Sequence, residues 1–248
     1  MAYKKFNQHQ NGKYWENYFK KGIDFYRLIQ DHMQESLAGR STRGLDIGAG
    51  PGVGARLAAD AGLDTLLIGY EPSDTHNDGE RLSEELRSDR SPTVYVPKRG
   101  GIEAISEIDE NSLDYITILR ACHEIADSIG GKGTFMEYLA DAKRLLKQSG
   151  KIIIGEPQFS SEITKHPEDY PDLIESVQKY QQSAIGHSHV PQDYITFSEL
   201  EDRFEQAGLN LQRRDFLEHK PVLQHLREKG YNLEKSPNMF YVETFSKA

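Results

Sequence analysis

The sequence predicts an α/β domain with a doubly wound, mostly parallel sheet, and three observations support that fold class. Short apolar runs alternate with amphipathic helical stretches along most of the 248 residues, which is typical of layered α/β domains. Most neighbouring strand candidates are separated by a helical stretch, so crossovers between parallel strands must connect them. A glycine-rich segment follows the first strand candidate, and ligands of such sheets bind at the carboxyl ends of the strands.

The elements follow in order from the amino end. Residues 11–38 predict one or two helices that stop near Gly39, because Phe25, Ile29 and Met33 recur at helical spacing. The next predicted strands are 42–48, 64–72, 92–98, 113–119 and 151–157, and the predicted helices between them are 52–62, about 74–88 and 133–150.

The alternation stops after residue 157. Residues 158–193 carry three prolines, three histidines and two tyrosines around one helical piece. Long irregular segments in compact domains are usually functional, so we interpret this one as an insertion over an active site. Beyond it the sequence predicts a helix at 196–208 with Thr196 and Glu199 as a capping box, and then a strand, a helix and a final strand.

Composition excludes several functions. The chain carries 39 acidic and 30 basic side chains, a formal net charge of −9, which argues against the broad basic face of a nucleic-acid-binding protein. The single cysteine, Cys122, excludes an internal disulfide and a multi-cysteine zinc site. No apolar run approaches the ~20 residues that span a bilayer, and the first residues lack the apolar core of a secretory signal. We therefore expect a cytoplasmic protein without a membrane partner.

The most informative segment is the run LDIGAGPGVG, called the glycine loop below. Gly48, Gly50 and Gly52 would let the backbone approach a ligand closely. The G-x-G-x-x-G spacing of dinucleotide-binding proteins fails from Gly48, and it is met from Gly50 only in a looser form that uses Ala55. Asp46, just before the glycines, would repel a pyrophosphate and suits a cationic nucleoside such as S-adenosylmethionine.

A second acidic residue supports a nucleoside ligand. Glu71 ends the second predicted strand, about 20 residues after the glycine loop, where dinucleotide-binding folds place the acid that binds ribose. Its carboxylate could accept hydrogen bonds from both ribose hydroxyls of an adenosine. Proteins that bind NAD share this feature, so Glu71 alone does not separate the two cofactors.

Four segments in order resemble the successive motifs of class I S-adenosylmethionine-dependent methyltransferases: LDIGAGPG, Glu71, SLDYITILRACHEIAD and LLKQSGKIIIGEP. Within them the chain is similar to small-molecule enzymes related to the ubiquinone and menaquinone C-methyltransferases. The resemblance covers roughly residues 12–157 and, more loosely, 194–247. It implies a Rossmann-like, seven-stranded, mostly parallel sheet with a reversed C-terminal hairpin. The parts of this single domain would be an N-terminal helical cap (1–40), a cofactor-binding core (41–157), a substrate lid insertion (158–193) and a C-terminal completion of the sheet (194–248).

The resemblance also assigns cofactor contacts. It implies that Gly48, Ala49 and Gly50 line the methionine part of S-adenosylmethionine. It implies that Glu71 holds the ribose and that Pro72 packs on the adenine.

One stretch departs from the family pattern. Gly101 stands where family members often have an acidic residue that faces the adenine amine. This departure leaves Ile102, through its backbone amide and apolar side chain, as the expected adenine contact, with Glu103 as a weaker candidate. Arg120, just past the fourth strand, is placed to reach cofactor or substrate. Asp46 completes the predicted cofactor site.

Methyl transfer is an in-line displacement at a sulfonium, which requires alignment and the exclusion of water. A base is needed only if the acceptor arrives protonated. His123 and Glu124 lie where the family places substrate-facing groups, so we predict His123 as a general base and Glu124 as the group that orients it or binds an amine. Alternatively, His123 would be a helix-start residue bonded to backbone and Glu124 a solvated charge.

Two further segments predict contacts to a small-molecule acceptor. Tyr14 and Tyr18 lie in an aromatic leading helix that would either close the pocket or pack on the sheet. In and just after the insertion, His187, His189 and Tyr194 are predicted to contact the acceptor as parts of a lid. The two histidines could also ligate a metal, but a polar lid is favoured and no metal is predicted.

Three other functions stay open at this point. A nucleic-acid or protein methyltransferase of the same fold is disfavoured by the net charge and by the run ILRACHEI, which stands where amino-directed DNA enzymes have Asn/Asp-Pro-Pro-aromatic. An NAD(P)-binding oxidoreductase would use the looser glycine spacing, and Asp46 argues against it. A cofactor-binding protein without catalysis would have a blocked substrate cavity. The sequence does not tell whether oxygen, nitrogen or carbon is methylated.

Overall fold

The computed structural model describes residues 23–72, 74–100, 102–122, 135–160, 163, 165–185 and 197–248. In these ranges seven strands form one sheet in the order β3-β2-β1-β4-β5-β7-β6, flanked by seven helices. The strands are β1 Thr42–Ile47, β2 Thr65–Glu71, β3 Thr93–Arg99, β4 Leu113–Leu119, β5 Leu146–Phe159, β6 Leu209–Glu218 and β7 Asn238–Lys247. The helices are α1 Ile23–Leu37, α2 Val53–Asp60, α3 His76–Ser88, α4 Phe135–Leu145, α5 Pro171–Ile185, α6 Phe197–Gln206 and α7 Lys220–Glu228, and short 3-10 segments span Ile102–Glu107 and Pro167–Asp169.

Strand direction confirms the predicted mixed sheet. β1 pairs in parallel with β2 and β4, and the outer pairs β2–β3 and β4–β5 are parallel too. β7 lies antiparallel between β5 and β6, so β6 points the same way as β5. The carboxyl ends of six strands therefore meet at one edge of the sheet, which we call the carboxyl edge. Because β1 lies between β2 and β4, the winding reverses beside β1, and ligands of such folds bind at that point.

Both faces of the sheet are covered by helices. α1 and α2 pack on one face, where Phe25, Ile29 and Met33 are buried at the helical spacing that predicted them. α4 and α6 pack on the other face, with Leu139 and Phe204 fully buried. Each such side chain contributes about 1.5–3 kcal/mol through the removal of apolar surface from water, so the two cores hold the strand ends in place.

A third, smaller core joins α5 to α7. Phe159, the last residue of β5, is fully buried against Val177 of α5 and against Val222 and Leu226 of α7. This cluster lies at the end of β5, so it brings the described helix of the 158–193 segment to the carboxyl edge. The division of the chain into four parts stays a prediction.

The boundary between α4 and β5 differs from the prediction. The helix ends at Leu145, before the predicted stop at Gly150, and β5 begins at Leu146. Leu145 and Leu146 are both fully buried in the same core, and the chain joins the sheet at Leu146, which pairs with Leu113 of β4. The register then shifts, since Leu113 pairs with Leu146 but Tyr115 pairs with Lys151. The extra residues bulge from the sheet.

Two predicted features lie outside the described residues, namely the helical stretch 11–22 and the capping residue Thr196. Within the described ranges, no helix combines the length and the apolarity that a membrane span requires.

Candidate active site

The glycine loop turns sharply between β1 and α2 at the carboxyl edge. Gly48, Gly50 and Gly52 have φ angles of 64°, 54° and 91°, in the left-handed region that L side chains rarely adopt. A Cβ on Gly48 would lie 2.7 Å from the Cβ of Ala121, and one on Gly52 would lie 2.7 Å from Cδ2 of Leu82. Backbone conformation and close packing therefore both require glycine, and the loop presents bare backbone to whatever lies above it.

Asp46 lies beneath this loop, and its carboxylate is used within the fold. The residue is 1% exposed. Its Oδ1 accepts a hydrogen bond from Thr117 Oγ1 at 2.7 Å, and its Oδ2 accepts one from Gly54 N at 3.2 Å. A Cβ on Gly54 would meet Oδ2 at 2.5 Å, so this glycine lets the start of α2 approach the carboxylate.

The charge of Asp46 is reduced near neutral pH. Burial raises its pKa to about 7 against the lowering effect of the two hydrogen bonds, and the charge of Glu71 adds to the rise. A partly protonated carboxyl repels a pyrophosphate less than the sequence argument assumed. The selection of a cationic ligand by Asp46, and its contact with the cofactor, stay predictions.

Glu71 connects the end of β2 to the glycine loop. Its Oε2 accepts a hydrogen bond from Gly50 N at 2.8 Å, and Ala49 N donates to Tyr70 O at 3.1 Å. The Glu71 side chain is largely buried at the carboxyl edge. The loop and the acid therefore hold each other at the ends of two neighbouring strands, with the loop beside the acid that is predicted to bind ribose.

The residues predicted to contact adenine lie near Glu71. Pro72 is partly buried next to Glu71. Gly100 N donates to Glu71 O at 3.3 Å, which holds the chain after β3 against the end of β2. Ile102 opens the 3-10 segment two residues later, and Gly101 between them lies outside the described residues. The backbone of Ile102 is thus near the predicted ribose acid, while its contact with adenine stays a prediction.

The turn after β4 is fixed to both of its neighbours. Arg120 has a φ of 59°, which is uncommon for a residue with a side chain, and its backbone N donates to Gly155 O of β5 at 2.7 Å. The next residue, Ala121, packs under Gly48. Arg120 therefore leaves β4 between the glycine loop and β5, where a side chain can reach either cofactor or substrate.

Two residues of this edge were missed by the sequence analysis, and Glu156 is the first. It lies on β5, is 2% exposed, and its Oε1 accepts a hydrogen bond from Cys122 N at 2.7 Å. It therefore anchors the backbone immediately before His123. An acidic residue inside the apolar strand IIIGEP was the available signal. Burial, with Glu156 nearby, raises the pKa of the Cys122 thiol well above its ordinary value, which supports a small buried residue over a nucleophile.

His219 is the second missed residue. It directly follows β6, and its ring stacks on Phe240 of β7 at 4.8 Å between centroids. It also meets Tyr180 of α5 edge-on at 6.2 Å. Burial lowers the pKa of His219 to about 4, its own backbone carbonyl opposes this, and the positive charge of Arg120 adds to the lowering. The imidazole is therefore neutral at physiological pH. A lone histidine before a Lys-Pro pair gives no sequence signal for this position.

The remaining predicted site residues lie outside the described residues: His123, Glu124, Gly101, Tyr14, Tyr18, His187, His189 and Tyr194. Their roles stay predictions. Within the described part of the chain, one group could hold a cation, formed by His166, Glu168 and Asp169. All three are exposed, and exposed acidic groups of this kind are common without a metal.

Comparison with known proteins gives a family. A family model described as "Methyltransferase domain" matches residues 14–213. A 37.1 kDa protein in transposon TN4556 of Streptomyces fradiae is 28% identical over 152 residues, which are 60% of this chain and 39% of that protein. The matched part therefore spans well under half the length of this relative.

Solved structures share the fold. The cyclopropane synthase MmaA2 from Mycobacterium tuberculosis aligns with a TM-score of 0.60 at 16% identity, covering 91% of this chain and 84% of that chain. An S-adenosylmethionine-dependent methyltransferase from Geobacter sulfurreducens, solved with S-adenosyl-L-homocysteine, aligns at 0.55 and 16%, covering 94% and 98%. The geranyl diphosphate C-methyltransferase from Streptomyces coelicolor aligns at 0.57 and 10%, covering 90% and 79%. Identities this low show the fold alone.

The family model spans most of the chain and includes all four motifs that carry the resemblance. The closer similarity to ubiquinone and menaquinone C-methyltransferases stays a prediction. The chain belongs to the methyltransferase-domain family, and it shares the fold of a solved S-adenosylmethionine-dependent methyltransferase.

Proposed function

We propose that this protein transfers a methyl group from S-adenosylmethionine to a small organic acceptor by in-line displacement. The observation that carries the proposal is the 2.8 Å hydrogen bond between Gly50 N and Glu71 Oε2. It brings the glycine loop and the acid predicted to bind ribose to adjacent strand ends, an arrangement that suits an adenosine with an attached amino acid.

The residues present fit this cofactor. A Cβ at Gly48 or Gly52 would lie too close to neighbouring atoms, so the glycine loop can take this conformation only with glycine at these positions. The motif contains no lysine that would bind a phosphate. Gly48, Ala49 and Gly50 would hold the methionine part, and Glu71 would hold the ribose. When bound, S-adenosylmethionine supplies an activated methyl group on a positively charged sulfur.

The protein contributes alignment more than chemical activation. In-line displacement is accelerated when the reacting groups are held in position and water is excluded. Arg120 and Glu156 hold the turn after β4 through hydrogen bonds of 2.7 Å each, to Gly155 O and from Cys122 N. This rigid turn leads directly to His123 and Glu124. His123 would remove a proton from an acceptor that arrives protonated, with Glu124 orienting it or binding an amine.

Several observations support a small acceptor. The net charge of −9 would repel a nucleic-acid backbone. One solved protein of the same fold, the geranyl diphosphate C-methyltransferase, was solved in complex with geranyl diphosphate, a small molecule. The acceptor would lie under α5, with Tyr14, Tyr18, His187, His189 and Tyr194 as its further contacts. The same set of features leaves the methylated atom open.

Cofactor binding tests the first half of this proposal. Calorimetric titration should show binding of S-adenosylmethionine and S-adenosylhomocysteine and no binding of NAD or NADP. Glu71→Ala should weaken S-adenosylmethionine binding at least about tenfold, because two charge-assisted hydrogen bonds are lost. Glu85→Ala, which removes an exposed carboxylate of α3, is the matched control and should bind normally. Binding of NADP alone would refute the proposal, and unchanged affinity in Glu71→Ala would remove Glu71 from the site.

A methyl-transfer assay tests the second half of the proposal, namely that the acceptor is a small molecule. The protein is incubated with S-adenosylmethionine labelled in its methyl group and a boiled cell extract, and the products are separated by size. We expect label in the small-molecule fraction. Label confined to protein or nucleic acid would contradict a small acceptor while leaving the cofactor assignment intact.

A further inference from the structure

A cleft opens at the carboxyl edge where β6 ends and β7 and α1 begin. Its inner wall is made of Phe25, Leu217, His219, Pro221 and Phe240, and Asp24, Glu218 and Lys220 also line it. We call it the His219 cleft.

Three rings stack in one row along this cleft. Phe25 stacks on Phe240 with centroids 4.5 Å apart and 24° between planes, and His219 stacks on Phe240 at 4.8 Å and 25°. Phe25 and Phe240 are 1% and 7% exposed, so the row is held rigidly by the core beneath. The partly exposed ring of His219 ends this row, and an aromatic ring held in a fixed position favours contact with another flat, apolar group.

One hydrogen-bond donor interrupts the apolar wall. The backbone N–H of Val222 points at Nδ1 of His219 at 3.3 Å, while it also donates to His219 O at 3.1 Å. Because Nδ1 receives a donor, a neutral imidazole carries its proton on Nε2. Among the described residues, Nε2 of His219 has no hydrogen-bond partner. His219 therefore offers an N–H, and not a base, to a molecule in the cleft.

The cleft lies close to the place where the methyl group would be transferred. Phe25 of the cleft packs against Gly155 of β5, where a Cβ would lie 3.1 Å from its Cζ, and Gly155 O accepts a hydrogen bond from Arg120 N. Arg120 immediately precedes Ala121, which packs under the glycine loop. Tyr180 of α5 meets His219 from the other side. The cleft is thus bounded by α1, by the end of β6, by the start of α7 and by β7, and its inner wall packs on β5 beside the turn after β4.

We propose that the His219 cleft is the acceptor subsite, and that it takes a planar, mostly apolar molecule whose carbonyl or carboxylate oxygen accepts a hydrogen bond from Nε2–H of His219. The inference rests on the proposed function, since it assigns an acceptor class to the same site. His219 acts as a specificity residue: it selects an oxygen acceptor on a flat molecule and takes no proton from it.

The tautomer can be tested directly. Nitrogen-15 NMR of the imidazole side chains, with His219 assigned by its loss in His219→Asn, should show the proton on Nε2 from pH 5 to pH 8. A proton on Nδ1, or a charged ring in that range, would overturn the proposal.

Binding of two small probes tests the ligand class. Benzamide and benzoate are titrated by NMR into the full-length protein saturated with S-adenosylhomocysteine, with toluene as the flat probe without an oxygen. His219→Asn keeps an acceptor for Val222 N, but its shorter side chain leaves no donor at the position of Nε2, so both oxygen probes should bind about tenfold more weakly while toluene binding is unchanged. His219→Gln restores a donor near the position of Nε2 and should recover much of the loss. His166→Asn, an exposed histidine, is the control.

The outcomes separate the two proposals. Tighter binding of benzoate than of benzamide would identify a carboxylate acceptor, and equal binding a carbonyl. If neither probe binds at millimolar concentration, or if His219→Asn weakens all three probes equally, the subsite assignment fails although S-adenosylhomocysteine still binds. If S-adenosylhomocysteine itself does not bind, the proposed function fails first.

Discussion

Asp46 makes the stability of this protein depend on pH in a way that one substitution should remove. Burial raises its pKa from 3.8 to about 7. The folded protein therefore keeps a proton that the unfolded chain releases above about pH 4. Stability from this group is fully present below pH 4 and is lost as pH rises through 7. At about 1.4 kcal/mol per pH unit, the loss amounts to about 4 kcal/mol.

Asp46→Asn should abolish that loss. An asparagine amide can still accept from Gly54 N and can donate to the Thr117 hydroxyl, which reorients, so the geometry is kept. The free energy of unfolding is measured by urea denaturation between pH 4.5 and 8. The wild-type curve should fall relative to the variant by about 3 kcal/mol across this window, because pH 4.5 already lies above the unfolded pKa of 3.8. Asp31→Asn, on the exposed side of α1, is the control and should run parallel to wild type.

Parallel curves for wild type and Asp46→Asn would refute the reasoning. They would mean that Asp46 is charged throughout the window and that water or a cation compensates its burial. A second buried acid, Glu243, has its pKa raised to about 7 by burial despite Arg214, so the curve of Asp46→Asn still falls with rising pH, by a smaller amount than the wild-type curve. Only the difference between the two curves reports on Asp46.

Three further predictions follow from the contacts of the carboxyl edge and of α1. Gly48→Ala should lower the free energy of unfolding by about 2 kcal/mol in urea titrations and abolish S-adenosylmethionine binding in calorimetry, because its left-handed φ and a close neighbour exclude a Cβ. Glu156→Ala should lower kcat at least about tenfold with near-normal cofactor affinity, since Cys122 N loses its acceptor. Glu156→Gln should restore most of the lost kcat, and equal kcat in wild type and both variants would make Glu156 dispensable. His32→Ala should cost about 2 kcal/mol in thermal or urea unfolding, because this buried ring joins α1 to Asp215 at 2.9 Å, and an unchanged midpoint would contradict this.

Local sequence patterns were enough to predict most of the helices and strands. The buried spacing in α1, the glycine after it and the apolar strands 64–72 and 113–119 each act over a few residues, and the structure confirms them. The end of α4 was predicted wrongly because the amphipathic pattern continues past Leu145, whereas burial of Leu146 against β4 decides the boundary. Such a boundary depends on a neighbour that is distant in sequence.

Asp46 shows the same difference between what the sequence predicts and what the tertiary structure decides. The sequence places a carboxylate before the glycine loop, and its charge was used to choose between ligands. Thr117 and Gly54 enclose that carboxylate, and burial sets its protonation. Charge can be read from a residue type, but pKa depends on the surroundings that folding creates.

The sequence by itself determined the family, the doubly wound sheet and the cofactor loop, because glycines, strand-end acids and apolar periodicity act through neighbours in the chain. Only the tertiary structure showed that Glu156 anchors the turn after β4 and that His219, Phe240 and Phe25 form one ring stack. These partners come from strands and helices far apart in sequence. Their contacts, burial and protonation exist only after the sheet has brought its carboxyl ends together.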